Sequence, residues 1–410
     1  MTEIVALRRV ADIVAGQSAP SDAVTDLSGG LPFLQGNAEF GREYPTPKYE
    51  CATAPKRCQR GDLLLSVRAP VGAMNFADRA YGIGRGLAAL RARTGDSRYL
   101  HYALTASSQE LRAASSGSTF DAVTGDDLRE LSICWQPDAL QRRIADFLDD
   151  QVARIDEIIR LREDQIPALE RRRFGLRGEI FSKGVSLAEQ VQSHPILGPL
   201  PGGTRVMAVK RVVRDVGVGV VVNPSSYVSE TGRPFLLGRN VRDGWIETVD
   251  VNRISDENNR CLPASRLKAG DVVMMRVGYP GRSAVVPPEL DGANCASILI
   301  FKSPYGVRSD YLCEFFNGPQ GRAQISLAAY GAAQAAVNVG DVVEFLLPVP
   351  PLEEQAEAMR IFRAKTDGID QVSIEIVREV ELLHERKRSL ITAAVTGEFD
   401  VTTVSGRGVA

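Results

Sequence analysis

The chain has 410 residues, 44% hydrophobic and 24% charged, with a formal net charge of −2. That length holds two domains with their own cores plus connecting helices, and it excludes a small lone domain. Near-neutrality argues against a non-specific polycation but permits local positive surfaces balanced by acidic helices.

The opening, "MTEIVALRRVADIVAG", lacks the apolar run and cleavage site of a signal peptide, and no window approaches the apolar length of a membrane span. A cytoplasmic protein with no membrane partner is expected. Residues 1–136 contain short apolar runs broken by Gly, Pro, Asn and Asp, with strand-like pieces such as "DLLLSV" and "LSIC" and one of the few helices at "SQELRAASSG". Two basic clusters fall here, Lys56, Arg57 and Arg60, then Arg85, Arg91 and Arg93. Each can meet phosphate or form an ordinary solvated face.

From Pro137 the pattern changes. Ile144, Phe147, Leu148, Val152, Ile155, Ile158, Ile159 and Leu161 recur mostly at spacings of three and four, which predicts a long amphipathic helix over 137–185, with a kink or break at Pro167. Residues 186–205 read as a polar, proline-containing connector. A second module of mixed strand and turn texture follows over 206–350, then a second long helix over 351–400 carried by Ile361, Ile369, Val372, Ile376, Val380, Leu382 and Leu390, and a flexible tail over 401–410. Two such helices can bury their stripes against one another as an antiparallel pair, or each can pack only on its own module. The expected fold class is therefore α+β, with two similar mixed α/β domains joined and spaced by two long helices that form an antiparallel coiled-coil-like pair.

The two halves repeat. "PFLQGN", "GDLLLSVRAPVG", "GSTFDAV" and "QRRIADFLDDQVARIDEI" return 202 to 214 positions later as "PFLLGRN", "GDVVMMRVGYPG", "GAAQAAV" and "EEQAEAMRIFRAKTDGID". In the second phrase Gly61, Asp62, Pro70 and Gly72 bound a strand, as Gly270, Asp271, Pro280 and Gly281 do later. Arg68 and Arg276 follow those strands, where an arginine can bind phosphate or a guanine edge or can brace the strand. Asn37 and Asn240 recur in glycine-bearing turns, where asparagine commonly bonds its own backbone and can also read adenine. Gly117, Ser118 and Thr119 offer donors for a phosphate, whereas the matching segment around Gly331 and Gln334 has lost both hydroxyls. Equal scaffolds with different surfaces would read different sequences.

No constellation looks catalytic. Gly217 and Gly219 lack the rest of a dinucleotide-binding fingerprint, and "NPSS" at 223–226 falls short of the aromatic-ended motif with which amino-methyltransferases hold an extruded adenine. Six cysteines without CxxC spacing and three histidines do not supply the usual mixture for zinc, so reduced thiols, several of them buried, are expected.

"GDLLLSVRAPVG", "YGIGRGLAAL", "GSTFDAV", "LLPVPPLEEQ", "RRIADFLDDQVARIDEII" and "ERKRSLITAAVTGEFDV" together resemble the specificity subunit of type I restriction-modification systems over nearly the whole chain. The resemblance implies two target-recognition domains, each reading one half of a bipartite site in double-stranded DNA. It implies helices that measure the spacer and dock two modification subunits, with restriction subunits completing an ATP-dependent nuclease. It implies no cofactor in this chain: S-adenosylmethionine belongs to the modification subunit, and ATP and Mg to the restriction subunit. The chain would be a non-catalytic subunit of an adenine-N6 methyltransferase and endonuclease. A scaffold that no longer reads DNA and a self-contained nuclease are the competing readings.

On this resemblance the DNA-contact candidates are Gln35, Asn37, Lys56, Arg57, Arg68, Arg85, Ser118 and Thr119 in the first module, and Arg239, Asn240, Arg276 and Gln334 in the second. Arg68 and Arg276 are taken as equivalent, as are Gln141, Ile155 and Asp156 with Gln355, Ile369 and Asp370. Candidates for the helix pair and partner docking are Ile144, Phe147, Leu148, Ile155, Ile158, Ile369, Val372, Ile376 and Val380. "CWQPDALQRR" and "IFSKGV" depart from the family phrases and bear on local helix starts or partner contacts.

Overall fold

The computed structural model describes residues 3–115, 122–184, 191–249, 251–329 and 336–401. The chain forms two compact units, residues 1–163 with 377–410, and residues 164–376. Each unit thus takes the beginning of one long helix and the end of the other.

In the first unit the elements are β1 (Glu3–Ala6), α1 (Leu7–Val10), β2 (Ala11–Ala15), β3 (Thr25–Asp26), β4 (Pro32–Leu34), β5 (Tyr49–Glu50), β6 (Arg57–Cys58), β7 (Leu63–Ser66), β8 (Met74–Phe76), β9 (Tyr81–Ile83) and β10 (Leu87–Ala92). Helices α2 (Ser97–Ala106), α3 (Ser108–Ser115) and α4 (Gly125–Glu130) follow, then β11 (Ser132–Trp135) and the long helix α5 (Asp138–Lys183). β1 pairs with β11; a four-stranded sheet has the order β2-β10-β7-β8, and a five-stranded sheet the order β3-β5-β4-β9-β6. Helix α3 matches the expectation at "SQELRAASSG", while α2 and α4 were not anticipated.

In the second unit come β12 (Val191–His194), β13 (Gly198–Pro201), β14 (Val206–Ala208), β15 (Val213–Val218), β16 (Val228–Ser229), β17 (Arg233–Leu237), β18 (Asn252–Ile254) and α6 (Asp256–Cys261). These are followed by β19 (Val272–Met275), β20 (Ser283–Val285), β21 (Asn294–Ala296), β22 (Ile298–Pro304), α7 (Ser309–Asn317), α8 (Pro319–Ala328), α9 (Val339–Val342), β23 (Leu346–Pro348) and α10 (Leu352–Thr396). β14 pairs with β23, and the order β15-β22-β19-β20 repeats β2-β10-β7-β8. The parallel pair β4/β9 recurs as β17/β21. The sequence repeat is therefore a repeat of topology.

The segment read as a connector contains the β12–β13 hairpin, whose Leu197 and Leu200 are buried in the second unit's core. Helix α5 runs through Pro167 without a break, although the missing N–H removes one ladder bond there. Gly184, at φ +67°, then adopts a left-handed conformation that ends the helix. Helix α10 starts after two prolines with Glu353 and Glu354 in its first turn and stops before Gly397 at φ +82°.

The helices pair antiparallel within each unit, and neither packs only on its own module. In the first unit Asp156 binds Lys387 at 2.6 Å and Arg162 binds Glu379 at 2.9 Å, so one helix ascends in number as the other descends. Ile144 and Leu148 of α5 and Ile391, Ala394 and Val395 of α10 also join Leu63, Tyr99 and Leu104 in that unit's core. In the second unit Arg173 binds Asp370 at 2.8 Å. There Ile180 and Phe181 from the end of α5 enter the core, with Phe181 edge-on to Tyr311 and Phe315.

Of the helix-pair candidates, Ile144, Leu148, Ile155, Ile369 and Ile376 are buried and Phe147 and Val380 are half-buried, whereas Ile158 and Val372 are exposed. Their neighbours explain the correction: Ile159 and Ile376 already fill the inward positions, and an apolar stripe wider than one seam leaves its edge outside. The cysteines are all free, with Cys51, Cys58, Cys295 and Cys313 buried. The proposed tail beyond residue 401 lies outside the described residues.

Candidate nucleic-acid interface

In the first module, β4 and β9 run parallel and deliver two short turns to one end of the five-stranded sheet. The turn after β4 carries Gln35, and the turn after β9 reads Gly84-Arg85-Gly86. The Gly84 N–H donates to the Leu34 carbonyl at 2.8 Å. A Cβ at Gly86 would lie 2.6 Å from the Gln35 carbonyl oxygen, and one at Gly84 would lie 3.0 Å from Gln35 Cα. Glycine on both sides of Arg85 thus allows a backbone approach that a side chain would obstruct. Gln35 and Arg85 line one cleft of about 490 Å³, together with Ser18, Asp26 and Tyr49.

Lys56 reaches the same end of the sheet, because its carbonyl accepts the Ile83 N–H at 2.9 Å. The Val67 N–H donates to Gly86, which brings Arg68 in from the four-stranded sheet. Gln35, Lys56, Arg57, Arg68 and Arg85 are all exposed. Arg57 is nonetheless tied down, donating from Nη2 to the Ala52 carbonyl at 2.7 Å. Its counterpart Arg266 does the same to Asn259, so the repeated role is bracing. Asn37 is half-buried at the start of a short 3-10 turn. The second basic cluster divides: Arg91 grips Asp62 through two bonds and Arg93 binds Asp12, so both are braces.

Two candidates in the second module require correction. Asn240 is buried; its Oδ1 accepts the Leu237 N–H at 2.9 Å and its Nδ2 donates to the Glu247 carbonyl at 3.3 Å. Both ends of the amide close the turn, leaving no face for a base. Arg276 is half-buried, its Nε enclosed without an acceptor, and it is not the equivalent of Arg68. Gly72 donates to Ser66 as Gly281 donates to Met275, and Val123 donates to Val67 as Val337 donates to Arg276. Arg276 therefore matches Val67, and Arg68 matches Val277. A slip of one residue in extended backbone reverses the facing of a side chain. Arg239 is exposed. Ser118, Thr119 and Gln334 lie outside the described residues.

Sequence reasoning missed Tyr279 and Arg282 in this module. Tyr279 is exposed, and the Arg282 guanidinium stands 4.7 Å from its ring centroid, an arrangement suited to stacking and phosphate contact. Arg322 beneath them is buried enough to lower its pKa, and it binds Asp243 at 2.7 Å. The "GYPGR" phrase, where the first module has "APVGA", contained the signal, since an aromatic and an arginine follow a glycine turn.

The contacts between module and helix differ in sign. Gln141 and Gln355 are buried equivalents: each accepts an N–H from the loop before a module helix and donates to a carbonyl five residues earlier. Eight residues beyond each glutamine, Asp149 binds Arg98, whereas Arg363 binds Asp310. Beside the first pair, His101 packs against Phe76 and Tyr102, and burial pushes its pKa down to about 4. Among the described residues no three metal-ligating side chains converge, and no helix is long and apolar enough to cross a membrane.

The chain is thus built of two repeated modules that present different polar surfaces, each packed on long helices. The family model for the type I restriction modification DNA specificity domain matches residues 2–168. The MjaX specificity subunit of Methanocaldococcus jannaschii is 34% identical over 161 residues, 39% of this chain and 37% of that protein. The MjaVIII specificity subunit of the same organism is 24% identical over 327 residues, 76% of this chain and 72% of its own. A solved chain from work on assembly and conformational transition of the type I R-M system shares the fold, with a TM-score of 0.65 and 18% identity over 97% of this chain and 98% of that one. The matching region, residues 2–168, is therefore a type I restriction modification DNA specificity domain.

Proposed function

We propose that this chain reads a bipartite site in double-stranded DNA, residues 1–136 taking one half-site and residues 206–350 the other. The long helices set the unread spacer and dock two modification subunits, with the exposed Ile158 and Val372 available for partner contact. The modification subunits bring S-adenosylmethionine and the adenine pocket, and restriction subunits bring ATP and Mg. The chain contributes specificity and no chemistry of its own, within a cytoplasmic complex.

The observation that carries this reading is one scaffold repeated with unlike exposed surfaces: Gln35, Lys56 and Arg85 on the first, Arg239 and Tyr279, with half-buried Arg282 stacked on it, on the second. Each correctly read base pair adds roughly 1–3 kcal/mol of discrimination, so dividing a site between two modules multiplies selectivity. The near-neutral charge is consistent with non-specific affinity supplied partly by partners.

The test is co-expression with the neighbouring methyltransferase subunit and adenine-methylation mapping of host DNA. A split methylated motif present only with this chain is expected. A stoichiometric complex that creates no new motif would leave a scaffold as the better reading.

A further inference from the structure

We infer that Arg85 is the guanine-reading residue of the first module, with Lys56 beside it as a phosphate anchor. This rests on the proposed role in DNA recognition and adds the base and the side chain.

Several arginines of this module are occupied, and of Arg68 and Arg85, whose guanidinium groups have no hydrogen bond or ion pair to the described residues, only Arg85 lines the cleft with Gln35. Arg57 is bonded to the Ala52 carbonyl, Arg91 to Asp62 and Arg93 to Asp12. Arg85 is exposed at the cleft, with no hydrogen bond or ion pair to the described residues. Its backbone is held by the close approach of Gly84 and Gly86 to Gln35, so an exposed side chain stands on a fixed base. A free guanidinium fork beside an exposed carboxamide has the donors for guanine O6 and N7, and arginine to guanine is the commonest specific contact in the major groove. Glu50, the acid at the neighbouring strand, is occupied by the Ser28 and Gly30 N–H groups. Asp26 remains in the cleft and could accept from a cytosine amino group.

The second module cannot make this contact. Between the paired strands, Gly84-Arg85-Gly86 is replaced by the shorter Ala296-Ser297, and Gln35 by Leu237, as the strand registers show. The strand pairings likewise place Ser265, which is buried, where the first module has Lys56. The guanine contact therefore belongs to one half-site only.

The experiment uses the assembled complex with its modification subunits and a duplex carrying the mapped methylation motif, with 7-deazaguanine placed at each guanine in turn. For the wild type, one position should weaken binding roughly 10- to 100-fold. Arg85→Ala should show that loss on unmodified DNA, should be indifferent to the substitution, and should relax the motif at that position alone. Arg85→Lys keeps the charge without the fork and should behave likewise. Lys56→Ala should keep the base preference and lower the slope of log affinity against log salt by about one. Tolerance of 7-deazaguanine everywhere, or an unchanged motif with Arg85→Ala, overturns the inference and leaves the recognition role intact. Absence of any split motif with the wild-type complex overturns both.

Discussion

Asn37 and Asn240 stand in the same repeated phrase and have different surroundings. The Asn240 amide is consumed by the Leu237 N–H and the Glu247 carbonyl, so Asn240→Leu should cost about 1–3 kcal/mol. Urea unfolding should register that loss, while methylation mapping at permissive temperature should return the unchanged motif. His101 gives a pH-dependent counterpart. Its folded pKa near 4 lies below the ordinary value near 6.5 because burial disfavours the imidazolium. The unfolded chain therefore takes up the proton first. Stability should be level above about pH 6.5, fall as the pH drops towards 4, and level off below. His101→Gln should flatten that window in a series of urea midpoints taken between pH 7 and 4.5; an unchanged slope would exclude His101 as its source. Arg68 and Arg276 show why residue identity alone misleads. Residue type matched them in the sequence, but the glycines at 72 and 281 set the register, which makes Val67 the equivalent of Arg276.

At the scale of elements, the long helices were legible because 3.6-residue periodicity extends over many turns, and the strand–turn texture of both modules was legible in its Gly and Pro spacing. The β12–β13 hairpin was not, since "QVQSHPILGPLPGG" is short, polar and proline-bearing, and only the burial of Leu197 and Leu200 distinguishes it from a linker. Periodicity also could not say which apolar residues face inwards: Ile158 and Ile159 are adjacent, and packing buries the second. The end of α5 serves as a core element of the second unit. Phe181 is 2% exposed and meets Tyr311 at 4.9 Å and Phe315 at 5.3 Å between ring centroids. Phe181→Ala should therefore cost about 3–5 kcal/mol. Guanidinium unfolding followed by near-ultraviolet circular dichroism would check this, and a loss below 1 kcal/mol would show that the core closes over the gap.

For the whole molecule, the duplication in sequence anticipated the repeated sheet orders, but the linear reading of module, helix, module, helix did not anticipate units discontinuous in the chain. The reason is physical: periodicity reports that a helix has an apolar face, not which distant segment covers it. The first unit needs Ile391, Ala394 and Val395, and Gln136 donates to the Val395 carbonyl at 3.0 Å. A chain ending after Ile376 should therefore leave that core open. Binding of a hydrophobic dye and rapid proteolysis within residues 3–163 are expected, and a protease-resistant first unit in such a chain would contradict this account.

The same discontinuity sets an order of events during synthesis. Residue 163 leaves the ribosome 228 residues before Ile391, an interval of roughly 10–45 s at ordinary elongation rates. For that time the apolar faces of α2 and α5 have no permanent cover, and they wait for a segment made near the end of translation. Chains broken off early remain recognisable to chaperones and proteases, so the helix that completes the first unit also certifies that the second has been made.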